Sequence, residues 1–434
     1  MPSRTRSVAA WERILAVYAS CFTRPSFELF CELTSAWILC PGRRTVTRMI
    51  GLLEPRARRA HDAYHRFLRR GAWSLSDLWP ILARGLAAAC APTGSIPLDL
   101  DDTLFHKTGR CIAGAGIFRD AVRSTGKSVV YALGLNLVVL TLRVIPPWGA
   151  EPLGLPICVR LYRKGGPSHL DLAAQMLRAV AAWFPDRGFA LCCDGAYASL
   201  AGWRLPRTQV TSRMRRDAAL YELPPRRRKP KRGRPAKKGK RLPTPQELAR
   251  RSRKGWTRVQ VDQRGHKVER LVLSRKVLWY QVCPDACVLL VIVRDPAGKQ
   301  PDDFFFTTDL ESAPAAVAGQ CAGRWSIEDT FRNVKQLLGG EDPQTWKRRG
   351  PERAASLSLW LYAATWSWYL ATQGTKPTWP SLPWYTSKKT PSFADALAAL
   401  RRALWRERFF ATSAPRPLAP KMVLAVIEVL ARAA

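Results

Sequence analysis

The sequence predicts an α/β protein: a sheet-based core with a helical region before it and further helices after it. Three observations carry this reading. Residues 1–92 place apolar side chains at helical spacing, whereas from residue 96 the texture turns to short apolar and β-branched runs. One amphipathic helix, "SHLDLAAQMLRAVAAWF", interrupts those runs, with Leu170, Ala173, Ala174, Leu177 and Val180 on one face. The chain has 434 residues, 47% of them hydrophobic, enough for two or three domains around a large core.

The helical region is read from "AAWERILAVYASCF", "SFELFCELTSAWIL" and "SLSDLWPILARGLAAAC", the last with Ser74 or Ser76 placed as N-cap. Between them, "PGRRTVTRMIGLLEPRARRAHDAYHRFLRR" is rich in arginine and helical in period. That composition suits a small helical DNA-binding domain, with a plain basic helical cap as the alternative.

Strands follow at "SIPLDLDD", "SVVYALGLNLVVLTLRVI" and "LPICVRLYRK", then the helix, then "GFALCCDG", a further helix and "TQVTSRM". This is the strand and helix order of an RNase H-like sheet, in which the first and fourth strands lie side by side. Each of those two strands ends on acids. Next, "PPRRRKPKRGRPAKKGKRLP" (residues 224–243) reads as an extended basic linker, a phosphate-binding loop or, through "RGRP", an A·T minor-groove element. Arg232, Arg234, Lys237 and Lys238 are its candidate DNA contacts. "GWTRVQVDQRG", "HKVERLVLSRKVLWYQV", "ACVLLVIVRDP" and "DDFFFTTDL" then alternate as strands of a β-rich insertion. The expected domains are 1–92, helical and DNA-binding; 93–215, first part of the core; 216–311, basic linker and insertion; 312–375, last part of the core; and 376–434, C-terminal helices.

Lys and Arg number 70 against 33 Asp and Glu, a formal charge of +37. So large a charge expects a polyanion, nucleic acid first and an anionic membrane surface second. The opening residues lack the pattern of a signal peptide. "AASLSLWLYAATWSWYLA" (354–371) approaches the ~20 residues a membrane span needs, but its Ser, Thr, Tyr and Trp content predicts a helix buried in protein. Eleven cysteines without paired spacing read as reduced and cytoplasmic. Cys283 and Cys287 have no second pair, which argues against zinc.

Two stretches carry chemistry. "IPLDLDDTLFHKTG" puts Asp99, Asp101 and Asp102 on one strand, and "CCDG" puts Asp194 at the end of another. "CAGRWSIEDTFRNVKQLLGG", read as one helix, places Arg324, Glu328 and Lys335 on one face. Trp325, Ile327, Phe331, Val334 and Leu338 make up most of the other face. Surface ion pairing would explain such a stripe as well.

The stripe resembles the Y-R-E-K motif of insertion-sequence DDE transposases: three of its four positions match at the family's spacing, and Cys321 stands where the family has tyrosine. The resemblance spans roughly residues 95–370. It implies an RNase H-like catalytic core interrupted by the β-rich insertion, and a transposase that cleaves and joins DNA. Asp101, Asp194 and Glu328 would be the metal-binding triad, holding two Mg²⁺ ions, with Mn²⁺ able to substitute. Asp101 is preferred because the family's first motif is Asp, any residue, Thr; Asp99 and Asp102 stay open. Arg324 and Lys335 would hold DNA phosphates. The implied partners are terminal inverted repeats, target DNA and a second copy of the chain in a synaptic homodimer, without a membrane. The implied setting is bacterial, cytoplasmic and nucleoid-associated. The insertion would offer Trp256 or Trp279 to an unstacked base, though a core role suits either. Cys321→Tyr is expected to be tolerated.

Two other readings compete. One is a transposase-derived DNA-binding protein with altered or lost chemistry, which Cys321 favours. The other is a haloacid-dehalogenase-like phosphatase, whose opening motif "DLDDT" also matches. That fold needs a late acidic pair, and "CCDG" is followed by "AYASLAGWR", which contains no acid.

Overall fold

The computed structural model describes residues 6–53, 58–149, 151–224, 236–380, 383–411 and 420–433. It opens with helices α1 (Arg6–Ala16), α2 (Arg24–Leu39), α3 (Val46–Gly51), α4 (His61–Arg70) and α5 (Leu75–Cys90). Of the two serines that could begin α5, Ser74 is the cap: its side chain accepts from the Ser76 N–H.

The α/β part follows as β1 (Ile96–His106), β2 (Gly116–Arg119), β3 (Tyr131–Val144), β4 (Leu153–Tyr162), α6 (His169–Trp183), β5 (Phe189–Cys193) and β6 (Thr208–Arg213). A 3₁₀ segment, Gly195–Gly202, stands where a helix is expected between β5 and β6. Next come α7 (Pro245–Arg251), β7 (Thr257–Gln263), β8 (His266–Val277), β9 (Val288–Arg294) and β10 (Asp303–Thr307). The closing helices are α8 (Pro314–Gly323), α9 (Ser326–Gln336), α10 (Gly350–Gln373), α11 (Phe393–Ala411) and α12 (Pro420–Arg432). Strand β2 and helix α7 go beyond the sequence reading. The signal for α7 was available as T-x-x-E, and Thr244 and Glu247 form a capping box.

The ten strands form one mixed sheet in the order β2-β3-β1-β5-β6-β10-β9-β8-β7, with β4 paired to β3. Strands β1, β5 and β6 run parallel, and every other pairing is antiparallel. The β4-β3-β1-β5-β6 portion is consistent with an RNase H-like sheet. The later strands continue that sheet from β6 through β10 instead of forming a separate layer.

Helix α10 is buried almost throughout, so its apolar run is a core helix. Among the described residues no helix is long and apolar enough to cross a membrane. The N-terminal helices share its apolar cluster. Tyr18 meets Trp360 edge to face at 5.1 Å, and Trp37 Nε1 donates to the Leu338 carbonyl at 2.7 Å. Buried Arg353 of α10 donates to the carbonyls of Phe67, Leu68 and Gly71. That satisfies the orphan carbonyls at the end of α4.

Candidate active site

Alternation along β1 separates its three acids. Asp99 is fully buried and is held by Arg143, whose Nε donates to Oδ2 at 2.9 Å while Nη2 reaches Oδ1. Asp102 faces the opposite side of the sheet, where Tyr197 Oη donates to it at 3.0 Å and Asn136 Nδ2 at 3.4 Å. Asp101 shares the Asp99 face and meets Arg324: Nη1 donates to Asp101 Oδ2 at 2.5 Å.

Asp194 follows the last residue of β5. Leu100 pairs with Cys193 across the parallel β1–β5 ladder, so Asp101 and Asp194 leave adjacent strands at the same level. The backbone of Asp194 is fixed by Ser212, whose Oγ donates to its carbonyl at 3.0 Å.

The third side chain comes from α9. The expected single helix over 321–340 is instead two helices, α8 and α9, joined at Arg324 and Trp325 by short three-residue backbone bonds. This junction turns Arg324 towards β1 and leaves Trp325 exposed, so the expectation that Trp325 packs on the apolar side is corrected. Ile327, Phe331, Val334 and Leu338 do form that side and are buried. Helix α9 sits close against β4 because residue 154 is glycine: a Cβ there would lie 3.0 Å from the Ser326 carbonyl. Thr330 Oγ1 donates to the Gly154 carbonyl at 2.6 Å, fixing the register. Glu328 then faces Arg324, whose Nη2 lies 3.3 Å from Glu328 Oε1.

Arg324 thus pairs with Asp101 and Glu328, and Asp194 lies near enough to act on all three electrostatically. Arg324 is the most buried member of its ion pairs, its side chain 11% exposed against 19% for Asp101 and 38% for Glu328. Burial pushes the Asp101 carboxyl up to about 7; Asp102 and Asp194 add to the rise, and Arg324 opposes it. Burial also raises Glu328, with Arg324 again pulling it down and Asp194 pushing it up. Arg324 stays charged, because these carboxylates outweigh its own desolvation.

Lys335 lies further along. Its Nζ stands 5.6 Å from the ring of Phe105, on the Asp101 face of β1. Four strand residues make that roughly 13 Å from Asp101. Burial lowers the Lys335 ammonium, and Glu341 and Asp120 oppose this. The structure thus brings Arg324 to the acids and sets Lys335 apart from them. Lys237 and Lys238 are exposed, with Lys238 Nζ 4.3 Å from the ring of Tyr221. Arg232 and Arg234 lie outside the described residues.

Residues 18–268 match the family model of DDE superfamily endonucleases. The chain belongs to that family. The matched span of this DDE endonuclease includes Asp101 and Asp194 and stops short of Glu328. No curated protein matches the chain.

The donor set suits a divalent metal, which nucleases of the superfamily generally use. Three carboxylates offer hard oxygen ligands, and the partly buried cluster already hosts a cation in Arg324. Among the described residues no group of three His, Cys, Asp or Glu is arranged to hold an ion as it stands.

Trp256 and Trp279, weighed for base stacking against a core role, both take the core role. Trp279 is buried against Phe306. Trp256 donates to the Ser252 carbonyl and is covered by Arg294. The exposed tryptophans are Trp325, Trp346 and Trp384. Cys321 is buried with its Sγ 4.0 Å from Cys192 Sγ, so this position faces β5.

Proposed function

We propose that this DDE endonuclease is a DNA transposase of the Y-R-E-K group, which binds transposon ends, cleaves them and joins them to target DNA. The pairing of Arg324 with Asp101 and Glu328, with Asp194 leaving the adjacent strand at the level of Asp101, supports this reading most directly. In it, the three carboxylates hold two Mg²⁺ ions, replaceable by Mn²⁺. Bound there, the ions would activate a water or 3′-hydroxyl and stabilise the leaving oxygen.

The protein's own share is positioning. Asp101 and Asp194 are fixed by paired strands, and Glu328 by the close seating of α9 on β4. Arg324 balances the acids before DNA arrives and then turns its donors to a phosphate beside the scissile bond, a charge-assisted contact. Lys335 holds a phosphate further along the same strand. The exchange keeps like charges apart until substrate and metal enter together.

In this reading residues 1–92 form a DNA-binding unit, 93–215 and 312–375 the RNase H-like core, 216–311 a basic linker with a β-rich insertion, and 376–434 a C-terminal helical region. Lys237, Lys238 and, beyond the described residues, Arg232 and Arg234 add phosphate contacts. The active species is a homodimer bridging two ends in the bacterial cytoplasm. The alternative is a DNA-binding descendant without cleavage, to which Cys321 in place of tyrosine lends weight. Mg²⁺-dependent cleavage of labelled element ends by the wild type and by Glu328→Gln decides between them. Loss in the variant with binding retained supports the transposase; no cleavage by the wild type supports the descendant.

A further inference from the structure

Strands β2 and β3 form a two-stranded arm at the end of β1. His106, the last residue of β1, pairs with Gly134, and the arm's four paired positions run from Gly116–Gly134 to Arg119–Tyr131. The inner face is anchored: Phe118 is buried beside Tyr162, their rings 5.7 Å apart. The outer face carries Ile117, Arg119 and Tyr131, since Arg119 pairs with Tyr131 and side chains alternate along each strand.

That outer face is unusual for a solvated hairpin. Ile117 is 59% exposed, Tyr131 65% and Val122, at the tip, 88%. Isolated exposed apolar residues are ordinary, whereas several on one short ribbon mark a contact surface. Its exposed cations are Arg119, Arg123 and Lys127, and the one acid within residues 116–134, Asp120, is buried.

Asp120 instead organises the tip. Its Oδ1 accepts from the N–H groups of Val122 at 3.0 Å and Arg123 at 3.2 Å, and its Oδ2 meets His106 Nε2 at 2.8 Å. Arg123 Nε is 3.4 Å from Asp120, yet its side chain remains 63% exposed. Ser124 closes the base of the tip, accepting from the Val130 N–H at 3.0 Å. The apolar and cationic groups are thus displayed on a braced backbone.

We propose that this arm is a DNA-binding element that lies in the major groove of the duplex engaged by the active site. The proposal rests on the reading of DNA as substrate. A two-stranded ribbon fits the major groove, where apolar side chains can meet thymine methyl groups. Arg119, Arg123 and Lys127 then reach the flanking phosphates. Five residues of β1 separate Asp101 from His106, roughly 16 Å. That is about half of the ~34 Å turn of a duplex, so one DNA molecule can touch both.

The test uses the full chain, a random-sequence DNA duplex and the same duplex with uracil in place of thymine. Replacing Arg119, Arg123 and Lys127 together by alanine should reduce the slope of log affinity against log salt by about 2.7, at ~0.9 per phosphate contact. Replacing Ile117, Val122 and Tyr131 together by serine should leave that slope alone. It should also abolish the wild type's several-fold preference for the thymine duplex. Wild-type binding with slope and thymine preference unmoved by either set would overturn the arm alone. So would an apolar variant whose only change is loss of self-association, which would assign the face to a second copy. A wild type that binds no duplex would overturn both the arm and the transposase reading.

Discussion

Arg324 stands between two carboxylates from distant parts of the chain, its Nη1 2.5 Å from Asp101 and its Nη2 3.3 Å from Glu328. One guanidinium thus closes a site built from a central strand and from a helix more than two hundred residues later. In the proposed mechanism, its charge stands where metal and phosphate would bind. Removing it should separate two effects. Measured well above pH 7, where Asp101 is ionised even without its partner, Arg324→Ala should strengthen Mn²⁺ binding in the absence of DNA, read as a larger metal-induced rise in melting temperature. Cleavage should nevertheless fall by about a hundredfold or more, as for loss of one preorganised transition-state donor. Unchanged metal binding would mean that Arg324 does not compete for the site.

The acids of β1 should sort by partner. Asp99→Asn breaks a buried ion pair and leaves Arg143 uncompensated, a change that costs about 3–5 kcal/mol. Chemical denaturation should register that loss. Asp101→Asn should cost far less stability, because burial already works against its charge, yet it should abolish cleavage while DNA binding persists. Full cleavage by Asp101→Asn would remove it from the site.

The pH dependence follows from the Asp101 carboxyl, which burial raises to about 7. Below that value the group is protonated, and a proton must leave before a cation can bind. Cation affinity should therefore be full above pH 7 and decline as pH falls through it, approaching tenfold per unit. Thermal shifts with Mn²⁺ at pH 8 and pH 6 measure this. Equal shifts at both values would place the ion elsewhere.

Much of this site was legible because strand period is rigid. Alternation alone puts Asp99 and Asp101 on one face and Asp102 on the other. What alternation cannot supply is the partner: Arg143, more than forty residues away, already engages Asp99. The Arg-Glu-Lys spacing was readable, but the break between α8 and α9 was not. Both halves have helical composition, and the break is fixed by the packing of α9 on Gly154. Likewise the strands β7 to β10 were readable one by one. Their continuation of the main sheet depends on β6 pairing with β10, across some ninety intervening residues. Strand β2 was missed because it is only four residues long and its outward Ile117 is apolar yet exposed, which hides the half-buried pattern.

The packing of Cys321 argues against one expectation. Its thiol packs among Cys192, Val317 and Ala318 beneath the sheet, so tyrosine there would overfill a closed space. Cys321→Tyr should destabilise by about 1–3 kcal/mol instead of being tolerated. Denaturation midpoints check this. A variant as stable as the wild type would mean that α8 can shift outward to present the ring.

A clasp reaches helix α9 from the far edge of the sheet. At the β7–β8 turn, Arg264 adopts φ 56°, and its Nη2 reaches Asp329 at 2.6 Å and Glu151 at 3.2 Å. Gly319 of α8 lies against the same turn, where a Cβ would come 3.3 Å from the Asp262 carbonyl. Asp329 adjoins Glu328, so the turn braces the helix that carries the third acid. Arg264 is about one-third exposed, and an isolated pair of that kind contributes only ~0–1 kcal/mol to stability. Arg264→Ala should therefore leave the melting temperature within a few degrees of wild type. If the brace positions Glu328, the variant should need more Mg²⁺ for half-maximal cleavage, with DNA affinity unchanged. Lysine, able to reach one acid but not bridge two, should restore part of that loss. An unaltered Mg²⁺ requirement in Arg264→Ala would reduce the contact to a surface ion pair with no bearing on Glu328.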